Sequence, residues 1–314
     1  MKFAVESWAP EYGISADETQ MLEAAGSVDA TVELALADWT PLSPPNDTVP
    51  PSRMLFVDGV RRIDARVWYD DGGVTRPGVC ASVAAGSVAC AGSRATINEA
   101  VVRRGFFAAA SPSARPIVTK HGTYLYFPCA GDTPEDLYLG IHEQMTAVES
   151  KIASEHDVDL VVFDGPLRGR NDPLAVGYVK TQQVQYLTNE VQPILGKLGA
   201  GQRTPLFLVG GRGHTRYSWY MRLPGPRSNP MSGIVRCELV AQGTIDSAIS
   251  RANQITVLLP RFSSEPHKDP RAPQNLYPIA GLEHHLRHRL GDPQLMERGL
   301  RRSAGPVDGG IGAS

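Results

Sequence analysis

Two short apolar runs in this sequence end in the same dipeptide, Asp-Gly. Residues 54–57 lead directly into Asp58, residues 160–163 lead directly into Asp164, and a glycine follows each aspartate. A short apolar run before a turn signal is typical of a buried strand, and glycine lets the chain bend sharply beside the carboxylate. We therefore expect both aspartates at strand ends. If the two strands are neighbours in one sheet, the carboxylates converge at its edge, where they repel unless a divalent cation neutralises them.

Such a carboxylate pair favours a function in metal-dependent phosphodiester chemistry. The alternative of two ordinary turns stays open, because Asp-Gly is also a common turn dipeptide. The residues after each aspartate differ. Residues 59–69 alternate as in a β-hairpin with basic residues near its turn, whereas 165–173 form a proline-containing polar loop that carries Arg168 and Arg170.

Length and charge limit the classes of protein without choosing one. With 314 residues and 42% hydrophobic content, the chain can bury one large core, or one core and a small appendage. Its 31 basic and 33 acidic residues nearly cancel, so no field of the whole molecule attracts nucleic acid. Contact with DNA must therefore come from local arginine clusters, although a solvated charged face is an equally good interpretation of each: 61–62, 103–104, 168–170 and 287–289.

The cysteines and the N-terminus indicate an intracellular protein. The four cysteines have no C-x-x-C spacing, which argues against a zinc site or a disulfide framework. They are typical of small core residues in a reducing compartment. The first residues lack the charged start and apolar core of a signal peptide, and no stretch is apolar enough to span a membrane. We expect a soluble, cytoplasmic protein without membrane association.

The chain divides into three segments by composition. Residues 1–50 contain an acidic stretch around Ala16–Ala37, which is predicted to be helical, and then a proline-rich connector. Residues 51–300 are predicted to form one α/β domain. Residues 301–314 are predicted to be a flexible tail rich in glycine and serine. Strands are predicted near 54–58, 62–69, 78–90, 123–128, 160–164, 173–181, 205–211, 218–223, 234–240 and 256–260. Helices are predicted near 97–109, 133–155, 181–198, 245–255 and 279–290.

The helix predicted over 133–155 supplies a third candidate ligand. It begins with Thr133 as N-cap, a proline in its first turn and acidic residues at its N-terminal end. Its apolar residues recur on one side, as in a helix that packs on a sheet. Glu149 borders this apolar stripe, where its carboxylate can reach a metal pocket, whereas Glu143 points elsewhere. A solvated position for Glu149 at the edge of the stripe stays open.

Lys180 ends the strand that follows the second aspartate. Such a lysine can contact a phosphate or balance the acidic cluster, while a surface lysine at a strand end is the commoner case. The glycine-rich segment 210–214 lacks the lysine and the spacing of a phosphate-binding P-loop, so we interpret it as a turn. Residues 265–276 form a loop with several prolines that carries His267.

These motifs resemble the NurA family of DNA-end-processing nucleases over roughly residues 50–295. The resemblance rests on Phe56-Val57-Asp58-Gly59, Phe163-Asp164-Gly165-Pro166-Leu167, Val176-Gly177-Tyr178-Val179-Lys180 and the loop from His267 to Leu276. It implies a ribonuclease H-like mixed sheet flanked by helices, a requirement for Mn²⁺ or Mg²⁺, and a homodimer. It also implies that the protein processes single- and double-stranded DNA ends together with a hexameric HerA-type translocase.

The resemblance assigns a role to five residues. Asp58, Asp164 and Glu149 match the metal-binding carboxylates, Lys180 matches the lysine after the second acidic strand, and His267 matches a C-terminal histidine. We expect hydrolysis of a DNA phosphodiester, as a 5′ to 3′ exonuclease, a single-strand endonuclease or both. In this mechanism His267 protonates the leaving group or binds its phosphate, and Lys180 neutralises developing charge.

Two departures from the family motifs leave other functions open. Val60 and Pro166 follow the two Asp-Gly pairs, where the family usually has serine, so hydrogen bonds that support the metal ligands differ. A catalytically weak subunit that serves as a dimeric binding platform for a translocase therefore stays open. A ribonuclease H-like phosphotransferase stays open as well, although it would need paired nucleotide-binding glycine turns.

Overall fold

A twelve-stranded mixed sheet runs through the part of the chain that the computed structural model describes, which is residues 1–6, 27–180, 184–211, 214–227 and 229–305. Its strands are β1 (Phe3–Val5), β2 (Val28–Asp29), β3 (Arg53–Asp71), β4 (Val74–Ala91), β5 (Arg94–Ala109), β6 (Ile117–Thr119), β7 (Gly122–Cys129), β8 (Leu160–Asp164), β9 (Ala175–Val179), β10 (Phe207–Gly211), β11 (His214–Arg222) and β12 (Ile234–Val240). They are ordered β2-β10-β11-β12-β9-β8-β3-β4-β5-β7-β6, and β1 pairs with β3.

The long antiparallel strands β3, β4 and β5 form the centre of the sheet. β3 does not end at Asp58 as expected, but continues to a turn at Gly72 and Gly73, both of which have positive φ. The reason is cross-strand pairing, since Asp58 lies opposite Gly86 of β4 and the ladder continues on both sides of it. The predicted hairpin over 59–69 is therefore wrong. So is the helix predicted near 97–109, because that segment pairs with β4 as strand β5.

The two strands after the first helix lie parallel to β3. β8 pairs with β3 so that Phe163 lies opposite Val57, and β9 pairs with β8 so that Tyr178 lies opposite Asp164. β8 ends at Asp164, as the sequence predicts. The parallel register therefore brings the two Asp-Gly motifs side by side, although only the second of them ends a strand.

Helices cover both faces of the sheet. α1 (Pro134–Ser154) packs on β3 and β4 from one side, and its N-cap Thr133 accepts a hydrogen bond from the Asp136 amide, as predicted. α3 (Ile245–Leu258) and α4 (Tyr277–Arg289) share the largest apolar cluster with the other face of the sheet. A short α2 (Ile194–Lys197) and a terminal α5 (Pro293–Ser303) complete the described helices.

Three other expectations need correction. Residues 256–260 are not a strand, because α3 continues through them into a 3-10 turn at Leu259–Phe262. Within 184–198 only Ile194–Lys197 is helical, and 181–183 lie outside the described residues. Residues 16–26, half of the helix predicted around Ala16–Ala37, also lie outside them, and the described half is not helical but contains β2 and the start of a 3-10 turn at Leu36–Asp38.

Candidate active site

Asp58 and Asp164 lie side by side on one face of the sheet. Side chains alternate along β3, and the neighbours Phe56 and Val60 belong to the apolar cluster shared with α3 and α4, so Asp58 points to that face. Val162 belongs to the same cluster, and Asp164 follows it by two residues on β8. The side chain of Asp58 is almost wholly buried, and its Oδ1 accepts a hydrogen bond of 2.7 Å from the Gly59 amide.

Burial and mutual repulsion hold these carboxyls toward the protonated form. Burial raises the pKa of Asp58 well above its ordinary value, and the charges of Asp164 and Glu149 raise it further, while Lys180 opposes the shift. Burial also raises the pKa of Asp164, against the ammonium of Lys180. Asp58 is buried and Asp164 partly buried, and a carboxylate pair of this kind is stabilised by an added cation.

Lys180 is the counter-ion that the protein supplies to this pair. Its Nζ lies 2.8 Å from Oδ2 of Asp164 and donates a hydrogen bond of 2.9 Å to Oδ1 of Asn275. Asn275 is fully buried and donates in turn to Oδ2 of Asp269 at 2.5 Å. Asn275 and Asp269 were not singled out from the sequence, since nothing in a proline-rich loop shows that it folds back onto β9.

Glu149 approaches the site from the opposite face of the sheet. It lies on α1 against Gly59, where a Cβ atom would collide with Oε1 of Glu149 and with Met145. Glu149 is buried whereas Glu143 is exposed, so Glu149 is the glutamate that the helix turns toward the aspartates. The glycine after Asp58 is therefore what lets a carboxylate from α1 reach β3.

Arg170 is the counter-ion of Glu149. Its guanidinium forms a buried salt bridge with Oε2 of Glu149 and stacks 4.3 Å from the ring centre of Phe163. Burial nevertheless raises the pKa of Glu149 to about 7, because loss of hydration outweighs the attraction of Arg170. Glu149 on the helix and Asp164 on the strand are thus each paired with a basic side chain of the protein.

Two buried groups fix the loop that carries Arg170. Nη2 of Arg216 donates to the carbonyl oxygens of Arg168 and Arg170 at 2.6 and 2.7 Å. Oε1 of Glu238 accepts a hydrogen bond of 2.5 Å from the Leu167 amide. Both anchors come from the interior strands β11 and β12, so residues 167–170 of the loop after β8 are tied to the sheet.

His267 lies apart from the carboxylates. Its side chain is 69% exposed, and among the described residues its ion-pair partner is Glu265, 3.5 Å from Nε2. The loop that carries His267 does reach the site, but through Asn275 and Asp269. The structure thus brings Asp58, Asp164, Glu149 and Lys180 together and leaves His267 exposed beside Glu265.

The donor set suits a hard divalent cation. Carboxylate oxygens are the ligands preferred by Mg²⁺ and Mn²⁺, and burial with repulsion makes an added cation favourable at this point. Within the described residues, however, no three His, Cys, Asp or Glu side chains form a ready-made ligand cluster. The salt bridges explain why the carboxylates do not converge on one point. Asp164 is directed toward Lys180, and Glu149 is directed toward Arg170.

The fold and the site together define a mixed α/β protein whose aspartates meet where a parallel strand ends. A family model of the NurA domain matches residues 132–284, which confirms the resemblance seen in the sequence. This match includes Glu149, Asp164, Lys180 and His267, while Asp58 precedes it. None of the helices in the described ranges is long and apolar enough to cross a membrane.

The NurA nuclease from Sulfolobus solfataricus has a similar fold. At 12% identity and a TM-score of 0.50, the similarity covers 85% of this chain and 89% of that protein. Endonuclease V from Bacillus subtilis aligns over 91% of this chain and 96% of its own length, with 12% identity and a TM-score of 0.33. Human endonuclease V aligns over 76% and 84%, with 16% identity and the same TM-score. No curated protein sequence matches this chain significantly.

Proposed function

We propose that this protein is a divalent-metal-dependent deoxyribonuclease built on a ribonuclease H-like sheet. The observation that carries the proposal is the convergence of Asp58 and Asp164 on parallel strands, with Glu149 brought to them across Gly59. The NurA domain and the fold shared with a NurA nuclease support the same activity. β3 pairs with β4 in the antiparallel and with β8 in the parallel sense, so the centre of the sheet is mixed, as the proposed sheet would be.

In this proposal Asp58, Asp164 and Glu149 hold one or two Mn²⁺ or Mg²⁺ ions. The bound metal would activate a water and stabilise the charge that develops on the phosphodiester. Lys180 leaves Asp164 and neutralises phosphate charge, while Asn275 keeps its ammonium at the edge of the site. Arg170 releases Glu149 in the same way and becomes available to the DNA backbone.

His267 fits phosphate binding better than proton donation in this mechanism. An exposed imidazole can meet a DNA phosphate, whereas the contact that His267 makes is with Glu265. Its role therefore stays a prediction that depends on the resemblance. Turnover that survives His267→Ala with weaker DNA binding would agree with phosphate binding.

The biological setting is proposed from the family alone. By analogy, the protein processes single- and double-stranded DNA ends during repair, with 5′ to 3′ exonuclease or single-strand endonuclease activity. A homodimer would work with a HerA-type hexameric translocase. The alternative, a catalytically weak binding platform, is favoured by one observation: basic side chains of the protein already neutralise Asp164 and Glu149.

Digestion of end-labelled DNA with Mn²⁺ tests the activity. We expect the wild type to degrade single- or double-stranded DNA and Asp58→Asn and Asp164→Asn to lose at least about 100-fold in rate, as removal of a metal ligand requires. Asp47→Asn, at an exposed turn, is the matched control and should leave the rate unchanged. Wild-type protein without metal-dependent cleavage, together with retained DNA binding, would favour the binding platform.

A further inference from the structure

A cleft of about 640 Å³ opens between α1 and the loop that follows β8. This volume lies in the range of sites that bury a small organic ligand. One wall is mainly apolar and includes Leu139, Ala147, Ala153 and Phe163. Because Phe163 directly precedes Asp164, the cleft opens beside the proposed metal site on the α1 side of the sheet.

The opposite rim of the cleft carries two arginines, Arg168 and Arg170, followed by Asn171 and Asp172. The acidic residues of the lining are Asp172 at the end of this rim and Glu143 on α1. Arg168 has a φ of 52°, a left-handed conformation that is unfavourable for a residue with a side chain, and the bond from Arg216 to its carbonyl holds it there. The loop therefore keeps a guanidinium at the rim in spite of the conformational cost.

Basic and aromatic groups also lie on the α1 side of the cleft. The guanidinium carbon of Arg61 lies 4.6 Å from the ring centre of Tyr138, whose ring packs against His142 of the cleft wall. Burial, together with the smaller effect of the charges of Arg61 and Arg168, lowers the pKa of His142 to about 3, so its imidazole is a neutral polar group. The positive charge of this surface comes from arginines, which bind phosphate in a bidentate manner.

We propose that the cleft is a nucleotide subsite, which accepts one unpaired nucleotide of a single DNA strand. The apolar wall takes the base, and Arg168 and Arg170 take the adjoining phosphate. A base can enter a cleft of this kind only when it is unstacked and unpaired, which selects single strands over intact duplex. The proposal rests on the proposed nuclease function and names where its substrate binds next to Glu149.

Fluorescence anisotropy with a labelled oligothymidylate of twelve nucleotides, in EDTA to prevent cleavage, tests this subsite. Ala147→Trp fills the cleft from an exposed helix position, and Arg168→Ala removes the rim charge. We expect each to weaken binding about fivefold or more, as loss of one stacked base or one phosphate contact does. The matched controls Ala147→Ser and Arg94→Ala, the latter at an exposed hairpin end, should bind like the wild type.

An abasic oligonucleotide of the same length separates the two contacts. Ala147→Trp should not weaken its binding further, whereas Arg168→Ala should. Melting temperatures identify a variant that fails to fold, in which case Ala147→Leu and Arg168→Gln replace it.

Wild-type affinity in both cleft variants, with DNA cleavage still abolished by Asp58→Asn, would overturn the subsite and leave the nuclease function in place. A wild type that neither binds nor cleaves DNA would overturn both.

Discussion

At the scale of single residues, the site is a set of buried carboxylates balanced by basic side chains. Lys180 contacts Asp164, and Arg170 contacts Glu149. Buried pairs of this kind offset their own desolvation only in part, and loss of one partner leaves an uncompensated charge. A divalent cation can take over both neutralising roles and free the two basic groups for the phosphate.

The helical glutamate is tested by a pair of conservative changes. We expect Glu149→Gln to lower the rate of Mn²⁺-dependent DNA cleavage about 100-fold or more, because the buried carboxylate is a proposed metal ligand. Glu143→Gln changes an exposed side chain of the same helix and should stay within about twofold of the wild type. Equal losses in both variants would mean that Glu149 holds no metal.

The raised pKa values predict how the metal-free protein responds to pH. Glu149 titrates near 4.5 when unfolded and near 7 when folded, so the folded state binds its proton more tightly. The stability from this group is therefore complete below pH 4.5 and is lost as pH rises through 7, by on the order of 3 kcal/mol. Asp58, whose pKa is also raised, acts in the same direction.

Thermal melts in EDTA between pH 5 and pH 8 measure this effect. The wild type should lose melting temperature as pH rises, and Glu149→Gln should lose less, since it has no carboxylate to ionise. Addition of Mn²⁺ at pH 8 should restore stability in the wild type through preferential binding to the folded state. A wild type and a Glu149→Gln variant with parallel pH profiles would contradict the assignment.

At the scale of elements, the close approach of α1 to β3 decides the geometry. Gly59 leaves room for Glu149 and Met145, so Gly59→Ala should push the helix outward. We expect about 1–3 kcal/mol lower stability in urea unfolding, as for other overpacked sites, together with reduced cleavage. Gly281→Ala on α4 is the control, because nothing surrounds that position, and should be neutral or stabilising by up to about 1 kcal/mol. A stable, fully active Gly59→Ala variant would show that this contact is dispensable.

Elements with a strong local signal were predicted from the sequence, and elements decided by pairing were not. Thr133, Pro134 and the apolar stripe define α1 locally, and the apolar run before Asp164 defines β8. Asp58-Gly59 has the same local signal as Asp164-Gly165. However, β4 pairs with the residues before and after Asp58, so β3 continues past this position. Residues 97–109 likewise become β5 because a neighbouring strand is available, which no short segment reveals.

The candidate site follows the same division. Asp58, Asp164 and Glu149 were found from a repeated motif and a helical stripe. Asn275, Asp269 and Arg216 were not, because their contacts span long stretches of chain: Asn275 meets Lys180 across 95 positions, and Arg216 meets the Arg170 carbonyl across 46. His267 was selected by resemblance, and its side chain is exposed beside Glu265.

At the scale of the whole molecule, the mixed sheet provides two faces that serve one site. The face under α3 and α4 carries Asp58 and Asp164, and the face under α1 contributes Glu149 and the cleft. The carboxylates of the two faces meet because β8 ends at Asp164, whereas the neighbouring strand β3 continues beyond Asp58. We propose that one metal centre forms at this point from carboxylates of both faces.

Isothermal titration of Mn²⁺ into the metal-free protein at pH 7.5 measures binding at this centre and requires neither DNA nor turnover. We expect one or two binding sites in the wild type, at least about tenfold weaker binding in Asp164→Asn and in Glu149→Gln, and wild-type binding in Asp47→Asn. Manganese bound equally well by the wild type, Asp164→Asn and Glu149→Gln would place the metal elsewhere and contradict the assigned site.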